Sequence, residues 1–272
     1  MKIYKAVRND YRTIEASLEG SVLRIKLNRP ERHNALVPEL ISELDQILDE
    51  IAPLNEVLFV VLSGNGRSFS AGADLNWFAG SDERSQEENA AQYKMLADVL
   101  LKLYQLPQIT IAVVHGNVFG GGIGLMGVCD FVLAEPATRF MFSEVKLGLL
   151  PATILPFVAK RLSIQHLRKW ILTARLFTSG EAHQAGLVDL VVDEGQLETS
   201  LHEFMASFEA GSPSAIRKAK AMINQVVSGK INIHDTDVTS VILSEALLSP
   251  HGQEGIHAFL EQRKPLWKKG RE

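Results

Sequence analysis

Residues 109–150 hold an apolar run, a glycine triplet and a lone carboxylate, and that order limits what the chain can fold into. The run ITIAVV at 109–114 is unbroken enough to read as a strand buried on both faces, as in a covered parallel sheet. His115-Gly116-Asn117 reads as a turn, and Gly120, Gly121 and Gly122 then stand at the mouth of a short apolar helix. Glycines there let another group approach the backbone with no Cβ in the way. The free N–H groups and positive end of such a helix suit negative charge. Two further strands lead to Glu144, set in Phe142-Ser143-Glu144-Val145. An anion cradle and a single acid, folded towards one another, are the parts that enolate chemistry needs.

The flanking sequence reads as alternating strands and helices. Residues 13–18 and 22–27 form a hairpin over Glu19-Gly20. Pro38 opens a helix that lines up Leu40, Leu44, Ile47, Leu48 and Ile51. Residues 57–62 are another buried strand, 81–89 a polar loop or helix start, and Met95 to Leu103 an amphipathic helix ending before Pro107. Helices are expected around 154–162, 164–173 and 179–185, with a strand at 187–192. Beyond Gly195 the pattern is helical throughout, so the domain reading is an α/β core over residues 1–194 and a helical extension over 195–272. With 46% apolar residues, a formal charge of −4, one cysteine and no membrane-length apolar run, the chain reads as cytoplasmic. The charge gives no reason to expect nucleic acid or membrane as a partner.

Several chemistries find no motif. There is no HExxH or other metal-ligand spacing, no GxSxG elbow and no GxxxxGK[ST] loop. Gly122-Ile123-Gly124-Leu125-Met126-Gly127 matches GxGxxG, but the glycines do not directly follow the strand and Asp130 cuts the helix short. The small-residue loop Ala71-Gly72-Ala73-Asp74 resembles the glycine triplet in character, and two backbone N–H donors from two such loops suit a thioester oxyanion. Asp74 reads as a turn acid holding its own loop, and Cys129 as a packing residue. Around Glu144 the neighbours Phe140, Phe142, Val145, Leu147, Leu149 and Leu150 promise an apolar setting that raises its pKa. Arg29, Arg32, Lys264, Lys268, Lys269 and Arg271 form two basic clusters, either solvated charge or the rim of a site for a phosphorylated carrier.

Taken together, LNRPERHNAL (27–36), SFSAGADL (68–75), HGNVFGGGIGL with CDFVLA (115–134), FSEVKLGLLP (142–151) and FLEQRKPLW (259–267) resemble the enoyl-CoA hydratase/isomerase, or crotonase, superfamily. The resemblance implies a spiral of repeated strand–strand–helix units, a helical trimerisation region, and a trimer or a hexamer built as a dimer of trimers. It implies an acyl-CoA thioester substrate and no cofactor, CoA being part of the substrate. Carried over by position, the oxyanion donors are the N–H groups of Ala73 and Gly121. Substrate contacts fall on Arg32, His33, Ala35, Ala71, Asp74, Leu75, Gly120, Phe259 and Lys264.

One position departs from the family's pattern. Ordinary hydratases of the family carry two glutamates; here the first falls on Gly124 and only the second stands, as Glu144. Loss of the first acid predicts poor crotonyl-CoA hydration. It also suggests that Gly124 makes room for an acyl group with its own carboxylate. The local run is most similar to bacterial 3-methylglutaconyl-CoA and related branched glutaconyl-CoA hydratases, which implies a place in leucine or acyclic-terpene breakdown. The expected reaction is therefore hydration of a branched 2-enoyl-CoA, with 3-methylglutaconyl-CoA first. The alternatives are a Δ3,Δ2-enoyl-CoA isomerase using Glu144 alone, and a non-catalytic CoA-ester-binding protein.

Overall fold

A computed structural model describes residues 10–268, so Lys269 and Arg271 of the second basic cluster lie outside the described residues. The chain divides into two compact units, one ending at Glu198 and the other beginning at Thr199.

The first unit runs β1 (Ile14–Glu19), β2 (Val22–Leu27), α1 (Pro38–Ile51), β3 (Phe59–Gly64), α2 (Leu75–Phe78), α3 (Gln86–Gln105), β4 (Ile109–Val114), β5 (Asn117–Phe119) and α4 (Gly121–Gly127). It continues through β6 (Phe131–Ala134), β7 (Arg139–Met141), α5 (Leu155–Val158), α6 (Ile164–Thr173), β8 (Phe177–Thr178), α7 (Ser179–Gln184), β9 (Leu190–Val191) and the start of α8 (Leu197–Ala206). β1 and β2 pair antiparallel, and every later pairing in the order β1-β2-β3-β4-β6-β9 is parallel. All six residues of β4 are buried, as the unbroken apolar run requires of a central parallel strand. A smaller sheet, β5-β7-β8, lies apart from the first.

Successive strands alternate between the two sheets: β4 belongs to the large one and β5 to the small, then β6 to the large and β7 to the small. This alternation makes the turns of the spiral between β4 and β7. The corner between β4 and β5 passes through Gly116 at φ +59, where a Cβ would fall 1.9 Å from the Arg67 carbonyl oxygen. No other residue fits that bend.

Helix starts follow the capping rules. Pro38 occupies the first turn of α1, and Leu40, Ile41, Leu44, Ile47, Leu48 and Ile51 form its buried face. Ser85 and Glu88 make a reciprocal capping box that starts α3 within the polar stretch 81–89. Beside the small sheet, Trp170 of α6 stacks on Phe177 with ring centroids 3.8 Å apart, and Phe140 and Phe142 pack against the same ring at 5.4 and 6.1 Å. Both phenylalanines are buried, each burial being worth about 1.5–3 kcal/mol. They pin the chain directly before Ser143 and Glu144.

The second unit is helical: α9 (Pro213–Val227), α10 (Thr236–Leu248) and α11 (Pro250–Leu260), after the remainder of α8. Among the described residues no helix is long and apolar enough to cross a membrane.

Candidate active site

Ala73 and Gly121 are brought together by two loops that meet edge to edge. Ala71 N–H donates to the His33 carbonyl at 2.9 Å, Leu36 N–H to Gly72 at 2.8 Å, and Asp74 N–H to Leu36 at 2.9 Å. This parallel bridge between Leu36 and Ala73 uses the groups on either side of Ala73, so the N–H of Ala73 itself faces away from Leu36. The segment is tied to the glycine loop by Ser70, which donates its N–H to Asn117 and accepts from Phe119. Gly121 opens α4, where a backbone N–H has no carbonyl one turn back to bond. A Cβ on Gly121 would stand 2.8 Å from Leu36 Cδ1 and 3.9 Å from Ala73 N, so the backbones meet only because position 121 lacks a side chain. Neither N–H has a protein acceptor among the described residues.

Gly120 brings the acid to the same place. Its φ of +45 and ψ of −116 are rarely open to an L side chain, and a Cβ there would lie 3.1 Å from Glu144 Oε1. Glu144 heads a short 3-10 turn, Glu144–Leu147. Its second oxygen, Oε2, is buried with no hydrogen-bond partner. Burial raises the Glu144 pKa above the ordinary carboxylate value, while the backbone amides of Glu144 and Ser143 pull it the other way. The result is a carboxyl group of increased basicity, packed against the glycine before Gly121 and lining the same cavity as the two unengaged N–H donors.

These groups line a cavity of about 530 Å³ with Ala71, Leu75, Trp77, Phe78, Tyr93, Leu96 and Ile154. Among the described residues, Glu144 and Lys146 are the charged members of its lining. The apolar setting of Glu144 differs from the expected one. Phe140 and Phe142 are buried, but Leu147, Leu149 and Leu150 keep 53%, 39% and 77% of their surface exposed along the cavity's wall. Trp77, Phe78 and Tyr93 form a ring cluster in the same lining, with centroid distances of 5.7–6.3 Å. Sequence reasoning missed all three; an aromatic pair following Ala73-Asp74-Leu75 was the available signal.

Of the expected substrate residues, Ala71, Leu75 and Gly120 line the cavity. Arg32 and His33 are exposed and Ala35 buried, in the loop that Ala71 bonds, and none of the three lines the cavity. Asp74 does not line it either: its carboxylate caps α2 by accepting from Asn76 N–H at 3.0 Å. That backbone bond, aided by the Arg29 guanidinium at 3.4 Å, holds the Asp74 pKa below the ordinary value. Arg29 is therefore a brace between Asp74 and the Ala35 carbonyl rather than a rim cation. Phe259 and Lys264 belong to the second unit, where both are exposed, and the cavity's lining comes from the first unit alone.

Gly124 also stands outside the lining, and it leaves no open space. A Cβ at 124 would meet Ile154 Cγ2 at 2.3 Å, so the room expected for a substrate carboxylate is filled by an isoleucine.

The family model described as enoyl-CoA hydratase/isomerase matches residues 17–270. The enoyl-CoA hydratase AKT6-1 of Alternaria alternata is 30% identical over 261 residues, covering 95% of this chain and 84% of that one. Among solved structures, an enoyl-CoA hydratase from Shewanella pealeana superposes with a TM-score of 0.89 at 32% identity, covering 95% of this chain and 97% of that one. Pseudomonas aeruginosa AtuE superposes with a TM-score of 0.90 at 32% identity, covering 95% and 100%.

Proposed function

Since the chain belongs to the enoyl-CoA hydratase/isomerase family, we propose that it adds water to a branched 2-enoyl-CoA, with 3-methylglutaconyl-CoA the first choice of substrate. The observation that carries this reading is the meeting of Glu144 with the Ala73 and Gly121 N–H groups across Gly120.

In the proposed reaction the thioester carbonyl oxygen sits between those two N–H donors. The Glu144 carboxylate takes a proton from water as the water oxygen bonds to C3. The C2–C3 π electrons move towards the carbonyl and leave an enolate, whose charge the two donors hold. Glu144 then returns the same proton to C2, and the carbonyl reforms. One carboxyl group thus serves as base and then as acid, a role suited to a pKa raised by burial. Each preorganised donor is worth about 3–4 kcal/mol to the enolate. No redox or metal cofactor takes part in these steps. An acidic acyl tail is supported by Lys146, the one cation in the cavity's lining among the described residues.

A second reading, Δ3,Δ2-enoyl-CoA isomerisation, is favoured by the Ile154 methyl beside Gly124. That contact leaves no site there for a second acid to position water. Turnover of 3-methylglutaconyl-CoA, crotonyl-CoA and a 3-enoyl-CoA, with products identified by mass and retention, decides between them. A water adduct from the branched acid alone supports the hydratase. A mass-neutral double-bond shift in the 3-enoyl ester, without hydration, supports the isomerase.

Assembly into trimers or hexamers belongs to the same proposal. It is supported by Leu243, Leu248, Phe259 and Leu260 in the second unit, each more than 70% exposed. Light scattering on the purified protein tests it, and a monomer would count against it.

A further inference from the structure

Ile154 is 1% exposed and still lines the acyl cavity, so it is wall rather than rim. Its backbone is held at the entry to α5: Ile154 and Leu155 N–H both donate to the Pro151 carbonyl, at 3.3 and 2.9 Å, and Val158 N–H donates to Ile154 at 3.1 Å. Its side chain occupies the space where residue 124 would project. The hypothetical Cβ of residue 124 lies 2.3 Å from Ile154 Cγ2, 3.0 Å from Ile154 Cβ and 3.6 Å from Leu100 Cδ1. An isoleucine is stiff at χ1, and rotating χ1 does not move its Cβ. A rotation about χ1 would move Cγ2 away but leave the 3.0 Å contact with Cβ, so the two positions are sterically coupled.

We infer that Ile154 is a specificity-determining residue: it closes the inner end of the acyl site against α4, and it can stand there only because residue 124 is glycine. The inference rests on the acyl-CoA reading proposed above. With the α4 side closed, the space left to an acyl group lies between the Glu144 turn and the Trp77, Tyr93 and Leu96 side chains. That space favours a short, branched acyl group over a long, straight one. Shortening Ile154 opens a channel towards Leu100 and Gly124. Adding a methyl at 124 drives Ile154 into the cavity.

The test compares kcat/KM for 3-methylglutaconyl-CoA and straight 2-decenoyl-CoA in the wild type, Ile154→Ala, Ile154→Val, Gly124→Ala and the Gly124→Ala/Ile154→Ala double variant. Ile154→Ala should shift the ratio towards the decenoyl ester by about tenfold or more, the scale on which a methylene decides pocket specificity. Ile154→Val should shift it less, in the same direction. Gly124→Ala should depress turnover of both esters, and the double variant should recover most of that loss. A ratio unchanged in both Ile154 variants overturns the inference, since a purely structural isoleucine would lower thermal stability and leave preference alone. If the wild type turns over neither ester, the proposed reaction fails. The inference is then read from calorimetric affinities for isovaleryl-CoA and decanoyl-CoA, where the same shift supports it and an unchanged ratio overturns it.

Discussion

Glu144→Gln removes a proton carrier while keeping the shape of the side chain. The amide occupies the same space against Gly120, and Oε2 has no protein partner to lose. The Ala73 and Gly121 donors are backbone groups, so the substitution leaves them in place. What goes is proton transfer, and among the described residues no other carboxylate in the cavity's lining can replace it. The loss should therefore lie at the upper end of the general acid–base range, about 10⁴-fold in kcat. At about 1.4 kcal/mol per tenfold, that is about 5.5 kcal/mol of barrier. Affinity for a saturated acyl-CoA, read by calorimetry, should stay within a few-fold. Stability provides an independent reading. Because burial raises the folded-state pKa, the native protein binds more protons than the unfolded chain between the two values, and wild-type stability falls as pH rises through that window. The glutamine variant lacks this term. Its melting temperature should match the wild type below the ordinary glutamate value, exceed the wild type's through the window, and keep the advantage at higher pH. A variant within about tenfold of wild-type kcat would remove Glu144 from the mechanism. A stability difference largest in acid would refute the burial argument.

Gly120→Ala should cost about 1–3 kcal/mol for forcing a side chain into φ +45, and should also displace Glu144, so both melting temperature and kcat fall. A loss of stability with unchanged kcat would show that the Gly120 contact does not set the acid's position. Asn34→Ala removes a buried side chain that accepts from Arg29 N–H and donates to the Asn65 and Ser68 carbonyls, all at 2.8 Å. Chemical denaturation should show a loss of about 2–4 kcal/mol, and a value below 1 kcal/mol would mean that water satisfies those carbonyls. Arg29→Met unties the brace on Asp74, whose stabilising contribution is present at neutral pH and lost as pH falls through its lowered value. The variant should be less stable than wild type near neutrality, with the difference narrowing in acid; a difference constant with pH would show that the ion pair contributes nothing.

The parts of this site that were legible in the sequence are those written as local runs. The β4 strand shows as six apolar-dominated residues, α1 as a Pro-initiated stripe, and the glycine triplet as a backbone others must approach. The α/β class and the placing of Glu144 opposite the triplet follow from the same signals. What escaped was specified at long range. Asn117 reads as the end of a turn and Val118 and Phe119 show no strand signal of their own, because the partners of β5 are Ser70 and β7, far off in the chain. α2 is a single helical turn, too short for any periodicity, and is recognisable only through the Asp74 cap. Arg29 read as solvated charge or as a rim cation because charge in a loop is usually solvated, whereas here the Ala35 carbonyl and the Asp74 carboxylate hold it.

Gly124 is the instructive failure, because a missing side chain reads as an empty space and here it is the opposite. Each glycine of this segment faces a different element: Gly120 the Glu144 carboxylate, Gly121 Leu36, Gly122 the Ser70 carbonyl, and Gly124 Ile154. A site assembled from such contacts cannot be changed one residue at a time. Placing a carboxylate at 124 with Ile154 present would overpack the core and bury an acid against a methyl group, which is destabilising on both counts. Shortening Ile154 first costs about 2–5 kcal/mol, within reach of a domain stable by about 5–15 kcal/mol, and only then does the second position open. The steric coupling of positions 124 and 154 thus opposes a second acid at 124 for as long as Ile154 stands.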